Sequence, residues 1–255
     1  GKNKYMLVVN ASNIEKDYKW LNENNSFKCE ITNKSDEYSL LALQGPRSLD
    51  LMRQISNSNI SKLKYYNFII GNIGEIKDVI ISRTGYTGEL GYELYVKNSF
   101  VKDLWNLLFS TNIQLSPIGL AARDTLRLEK GYCLYGNEIN DFTSPIEADL
   151  TWITKFNKNF IGKDIIYKVH KEGRTRKLVG IELIDKGIAR KDYKIYSPTK
   201  QIEIGYVTSG TMSPSLNKPI AIGFVDIKYT NINTVVEISV RNKKIKSKVV
   251  NLPFI

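Results

Sequence analysis

Apolar and polar residues alternate along much of this chain, and the period of that alternation changes partway. The apolar run Tyr5-Met6-Leu7-Val8-Val9 reads as a buried strand, and Ser12 with Glu15 three residues on forms a capping-box pattern that predicts a helix over about 12–24. Residues 27–31 alternate as a half-buried strand and 38–43 predict another, after which Pro46 suits the first turn of a helix reaching about 55. Strands are predicted over 77–82 and 90–96, and helices over 99–109 and 119–129, the second closed by Gly131.

Beyond about residue 160 the period settles on two. One short helix at 163–170 precedes strands at 178–184, 203–209, 221–226, 234–241 and 246–251, set apart by Gly, Pro and Asn turns. Short strands at such regular spacing predict a β-barrel or jelly-roll-like module. The chain is therefore expected to be α+β, with a mixed α/β region over 1–155 and a β-rich module over 156–255, the break falling between about 155 and 175.

Composition removes several classes of chemistry. The 255 residues are 42% hydrophobic and 25% charged, values ordinary for a globular protein. No stretch approaches the roughly 18 uncharged apolar residues of a membrane span, so a soluble chain without a membrane partner is expected. It opens Gly1-Lys2-Asn3-Lys4, with neither an initiator Met nor a targeting leader, and processing or a missing beginning is expected.

With Cys29 and Cys133 as the only cysteines and His170 as the only histidine, Ser-His-Asp hydrolysis, cysteine clusters and His-rich metal sites have too few ligands, and no metal is expected. The cysteines read as reduced core or near-core residues, and His170, between lysines, as a solvated helix residue. The net charge of +11 would suit nucleic acid, but the lysines are scattered, with small clusters only at 174–177 and 243–246. A field attracting small anions or an acidic protein fits that distribution better than a nucleic-acid footprint.

Three segments carry candidate chemistry. Residues 83–94, RTGYTGELGYEL, form a strand-turn-strand unit punctuated by three glycines, where a plain hairpin turn competes with a ligand site. Glu93 there stands in an otherwise apolar strand and needs donors if buried. On the helix at 119–129, Arg123 and Arg127 share a face one turn apart; they either pair with Asp124 or Glu129 or offer a guanidinium to a carboxylate ligand. Residues 205–216, GYVTSGTMSPSL, run from a strand into a hydroxyl-rich loop that is a turn, a helix cap or an anion site.

These segments, with GLAARDTLRLEKGYCLYGNEI at 119–139, SPIEADLTW at 144–152, PIAIGFV at 219–225 and KYMLVVNASNIEKD at 4–17, resemble the T-protein of the glycine cleavage system, in order and over essentially the whole chain. The resemblance implies an aminomethyltransferase that moves a one-carbon unit from the lipoyl arm of an H-protein to tetrahydrofolate, its co-substrate, with release of ammonia. It implies a three-domain cloverleaf with folate in a central channel and a C-terminal β-rich module. By position, Glu93 matches the family's pterin-binding glutamate and Arg123 a folate-site arginine, with Tyr5, Val9, Asn10 and Tyr86 lining the same pocket.

The family's catalytic aspartate lies N-terminal to Tyr5, and Asp17, Asp36 and Asp78 do not match its motif. An N-terminally truncated chain with impaired activity is therefore expected. The compartment implied is the bacterial cytoplasm, or the mitochondrial matrix in a eukaryote. Two alternatives are a folate-binding accessory protein of iron-sulfur and RNA maintenance, and the C-terminal region of a methylglycine dehydrogenase. The first carries a Lys-Gly-Cys-aromatic-x-Gly-Gln-Glu signature, from which residues 130–138 depart by an extra residue and a displaced cysteine.

Overall fold

A computed structural model describes residues 3–241 and 243–255, which fall into two compact units. The first runs to Gly85 and resumes over Glu89–Pro117; the second takes Tyr86–Gly88 and Ile118–Ile255.

The first unit begins with an exposed segment of no regular structure, a 3-10 turn at Ala11–Asn13 and helix α1 (Ile14–Glu23). Its body is a four-stranded antiparallel sheet of β1 (Tyr38–Gln44), β2 (Phe68–Ile73), β3 (Ile76–Ser82) and β4 (Gly91–Lys97), in the order β1-β4-β3-β2. Helices α2 (Ser48–Ile55) and α3 (Val101–Phe109) cover one face of it. Leu51, Met52 and Ile55 from α2 and Leu104 and Leu108 from α3 bury against Leu43, Val79, Ile81, Leu94 and Val96.

Because strand side chains alternate, the register defines the opposite face. Leu40, Tyr95, Ile80 and Ile70 lie in one row across it, and Ala42, Glu93, Ser82 and Phe68 in the next.

The second unit is built on a barrel. Strands β5 (Arg176–Leu183), β6 (Lys194–Tyr196), β7 (Glu203–Ser213), β8 (Lys218–Asp226), β9 (Val235–Val240) and β10 (Lys243–Val250) close antiparallel in the order β10-β5-β8-β7-β6-β9. Val179, Ile181, Val207, Ala221, Val225, Val236, Ile238 and Val249 fill the barrel.

The alternate residues Leu178, Ile220, Ile222 and Phe224 point outward and form a second core with Leu128, from helix α4 (Leu120–Glu129), and with Leu252 and Phe254. Gly131 closes α4 at φ +69, a left-handed conformation that glycine adopts without a Cβ clash, and its N–H bonds the Leu128 carbonyl. Helix α5 (Lys163–Glu172) carries His170, which is exposed and stacks on Phe156 with centroids 5.0 Å apart.

Four expectations are corrected. Residues 5–9 form no regular element, are exposed, and pair with no strand among the described residues. Residues 27–31 form no strand: Asn25 Nδ2 donates to the Cys29 carbonyl at 2.7 Å, the Cys29 N–H donates to Asn25 Oδ1 at 2.9 Å, and Lys28 turns left-handed at φ +53. The amide side chain takes the backbone groups a ladder would use, and Cys29 is left exposed rather than in a core. The first cap of α1 falls on Asn13, without a side-chain capping bond, and not on Ser12. Of the two β-rich architectures anticipated, the closed barrel is the one formed.

Candidate functional site

In the first unit the chemistry centres on Glu93. It sits at the middle of β4 on the face opposite α2 and α3, directly across from Ser82 of β3 and Ala42 of β1. Its Oε2 accepts the Thr84 hydroxyl in a very short hydrogen bond and the Tyr95 hydroxyl at 3.2 Å. Thr84 Oγ1 also lies 3.0 Å from the Ser82 hydroxyl. A hydroxyl has one proton, and with the carboxylate as the stronger of the two acceptors in reach the Thr84 proton goes to Glu93. Burial, and then the charge of Glu93, push the Tyr95 phenol well above the usual tyrosine range, so it stays a donor.

The glycines of this segment have a concrete cause. A Cβ on Gly85 would lie 1.9 Å from Gln44 Oε1, and one on Gly91 would lie 2.5 Å from three atoms of the same amide. The Gln44 side chain occupies the space that side chains at either position would need, spanning the turn with long contacts from Nε2 to the Thr84 and Tyr92 carbonyls. Tyr5, Val9 and Asn10 belong to the exposed, irregular opening segment of the same unit.

In the second unit Tyr86 and Arg123 come together: the guanidinium carbon of Arg123 stands 4.7 Å from the Tyr86 ring centroid. Tyr132 stacks on the same ring with centroids 5.8 Å apart. The Tyr86 hydroxyl donates to the Cys133 carbonyl at 2.5 Å, and burial pushes the phenol up to about 12 despite the lowering effect of Arg127 and Arg123. The Tyr86 hydroxyl proton is thus committed within the chain, and the ring packs against both Arg123 and Tyr132. Arg123 is exposed and makes no ion pair with the described residues.

Arg127 takes the other course open to this pair. It is fully buried, and its guanidinium donates to Asp124 from Nε, to the Tyr132 carbonyl and Glu138 from Nη1 and to Ser209 from Nη2, with Nη2 also 2.7 Å from the Asp124 carboxylate. Burial disfavours its charge, but Glu138 and Asp124 outweigh that and the guanidinium pKa is raised. Glu138 is buried too and accepts from Ser209 at 2.6 Å and from the Leu134 N–H at 2.8 Å.

The hydroxyl-rich segment at the end of β7 does hold a carboxylate, but that carboxylate belongs to the chain. Glu129 at the end of α4 accepts Ser213 at 2.5 Å, the Ser215 hydroxyl at 3.0 Å and the Ser215 N–H at 3.2 Å. Glu129, Glu138 and Ser209 were not singled out as interior groups by sequence pattern, because a polar residue bound for a satisfied interior site carries no periodicity signal of its own.

Comparison with known proteins follows this geometry closely. The family model described as the GCVT N-terminal domain matches residues 1–158, and that of the glycine cleavage T-protein C-terminal barrel domain matches residues 176–255. The chain belongs to the glycine cleavage T-protein family. An aminomethyltransferase of Flavobacterium psychrophilum is 47% identical over 99% of this chain and 70% of its own length. One of Halothermothrix orenii is 49% identical over 100% of this chain and 71% of its own length. The crystal structure of the glycine cleavage system aminomethyltransferase T from Bartonella henselae superposes with a TM-score of 0.88 at 32% identity, covering 96% of this chain and 67% of that one. Among the described residues no helix is long and apolar enough to cross a membrane.

Proposed function

We propose that this chain forms the folate-binding part and the barrel of an aminomethyltransferase. The one-carbon unit of an aminomethyl group on the lipoyl arm of an H-protein passes to tetrahydrofolate, ammonia leaves, and 5,10-methylenetetrahydrofolate is the product. The observation that carries this reading is Glu93: a carboxylate in an apolar strand, with Oε2 satisfied and Oε1 without a partner among the described residues. A reduced pterin presents an amino group and a ring N–H side by side, and a carboxylate oxygen accepts such donors well.

The other roles follow from chemistry at each position. Arg123, exposed and held by its stack on Tyr86 rather than by an ion pair, is suited to the carboxylates of folate's glutamate end. Tyr86 holds that guanidinium in place through the stack. Tyr5, Val9 and Asn10 are assigned to the folate pocket by family resemblance. The carboxylate that assists the chemistry is assigned, by family resemblance, to a position N-terminal to Tyr5. Asp78, exposed and left-handed at φ +58, has none of the surroundings such a group needs.

Named relatives at 47% and 49% identity over nearly the whole chain support the same reaction class. The test is ammonia release from an aminomethyl-loaded lipoyl carrier by the full-length protein, with and without tetrahydrofolate. Release that depends on both carrier and folate is expected, and release indifferent to folate contradicts the proposal.

A further inference from the structure

We infer that Thr84 and Tyr95 are positioning residues for Glu93, fixing its carboxylate through Oε2 so that Oε1 is the oxygen presented to a pterin. The inference rests on the role proposed for Glu93 and adds to it the means by which the carboxylate is aimed.

Glu93 and Tyr95 are two residues apart on β4 and so share the open face of the sheet. Tyr95 is itself held there between Leu40 and Ile80, its partners on the two neighbouring strands. Thr84 reaches the same oxygen from just beyond the end of β3, and Ser82, opposite Glu93, steadies Thr84 at 3.0 Å. On the other side Glu93 faces Ala42, whose methyl group has nothing to offer a carboxylate.

Two donors therefore converge on one oxygen, and the second keeps its acceptor positions open. A glutamate on a strand has three rotatable bonds, and a carboxylate fixed before the ligand arrives avoids the cost of ordering it on binding. The Tyr95 hydroxyl stays protonated throughout the neutral range because burial and the adjacent charge hold its pKa up.

The experiment is calorimetric titration of the full-length protein with tetrahydrofolate, for the unaltered chain and for Thr84→Val, Tyr95→Phe, Thr84→Ser and Glu93→Gln. Loss of one hydrogen bond to a charged group predicts roughly tenfold weaker binding for Thr84→Val and for Tyr95→Phe, with Thr84→Ser close to the unaltered protein. In the Glu93→Gln background neither substitution is expected to weaken binding further, because both act through that carboxylate.

Full affinity in Thr84→Val and Tyr95→Phe alongside a weakened Glu93→Gln overturns the positioning role and leaves the Glu93 reading standing. Losses that add in full to that of Glu93→Gln overturn it as well, since they report a route that bypasses the carboxylate. An unweakened Glu93→Gln removes the Glu93 reading itself. Thermal unfolding of each variant separates loss of the fold from loss of the site, and should Tyr95→Phe unfold, the Thr84 pair decides.

Discussion

Cys133 and Cys29 show how far environment sets the chemistry of a single residue type. Burial, and then the nearby Glu138, push the Cys133 thiol up to about 12, whereas Cys29 is exposed. A thiolate is the reactive form, so Cys133 is inert near neutrality. A thiol reagent at about pH 8 is expected to modify Cys29 rapidly and Cys133 only once the chain is unfolded; equal rates in the native protein would contradict the burial. The raised value also has a sign. Below its ordinary pKa of 9.0 the thiol is protonated in both states, and as pH rises from there toward about 12 the unfolded chain alone releases its proton. Stability is thus lost on that alkaline limb, and Cys133→Ser is expected to flatten its onset in denaturant titrations. The same dependence on surroundings separates Arg123, stacked and without an ion pair among the described residues, from Arg127, one turn away and fully enclosed. Sequence pattern placed both on one face of a helix and left their fates open, because the acceptors that enclose Arg127 come from distant segments, Glu138 and Ser209.

At the scale of elements, the turn between β3 and β4 depends on space held for Gln44. Gly85→Ala would drive a methyl group into that amide, and because the amide is the free end of a flexible side chain that can turn aside, the expected loss is about 1 kcal/mol, the low end for overpacking. Urea denaturation should show that loss and its partial recovery in the double variant Gly85→Ala with Gln44→Ala; a loss unaltered by trimming Gln44 would mean that the backbone, not the amide, requires glycine. The elements legible in the sequence are those whose pattern and partners agree: β3, β4, α3, α4 and the long barrel strands all lie within a few residues of expectation. The three residues of β6 are too few to show a period, and β2, read as no element, carries Gly71 and Asn72 and a register shift at that point. The run at 5–9 had the composition of a buried strand without a partner strand among the described residues, and 27–31 was captured by Asn25. Composition fixes which segments prefer extension, but pairing depends on what lies beside them.

At the scale of the molecule, each unit has one chemically distinctive surface. In the first, α2 and α3 cover one face of a four-stranded sheet and leave the other with an apolar row and a carboxylate; in the second, the barrel supports α4 from outside and presents Tyr86 with Arg123. Glu93 was legible because a charge in an apolar strand stands out against the alternation around it, whereas its supports Thr84 and Tyr95 required the register of β3 against β4. The central claim is that Glu93 receives the pterin of tetrahydrofolate. The most direct measurement is the calorimetric dissociation constant of tetrahydrofolate for the full-length protein and for Glu93→Ala. Removal of a carboxylate that accepts paired N–H donors predicts at least roughly tenfold weaker binding in a protein that remains folded; an unchanged constant would contradict the account.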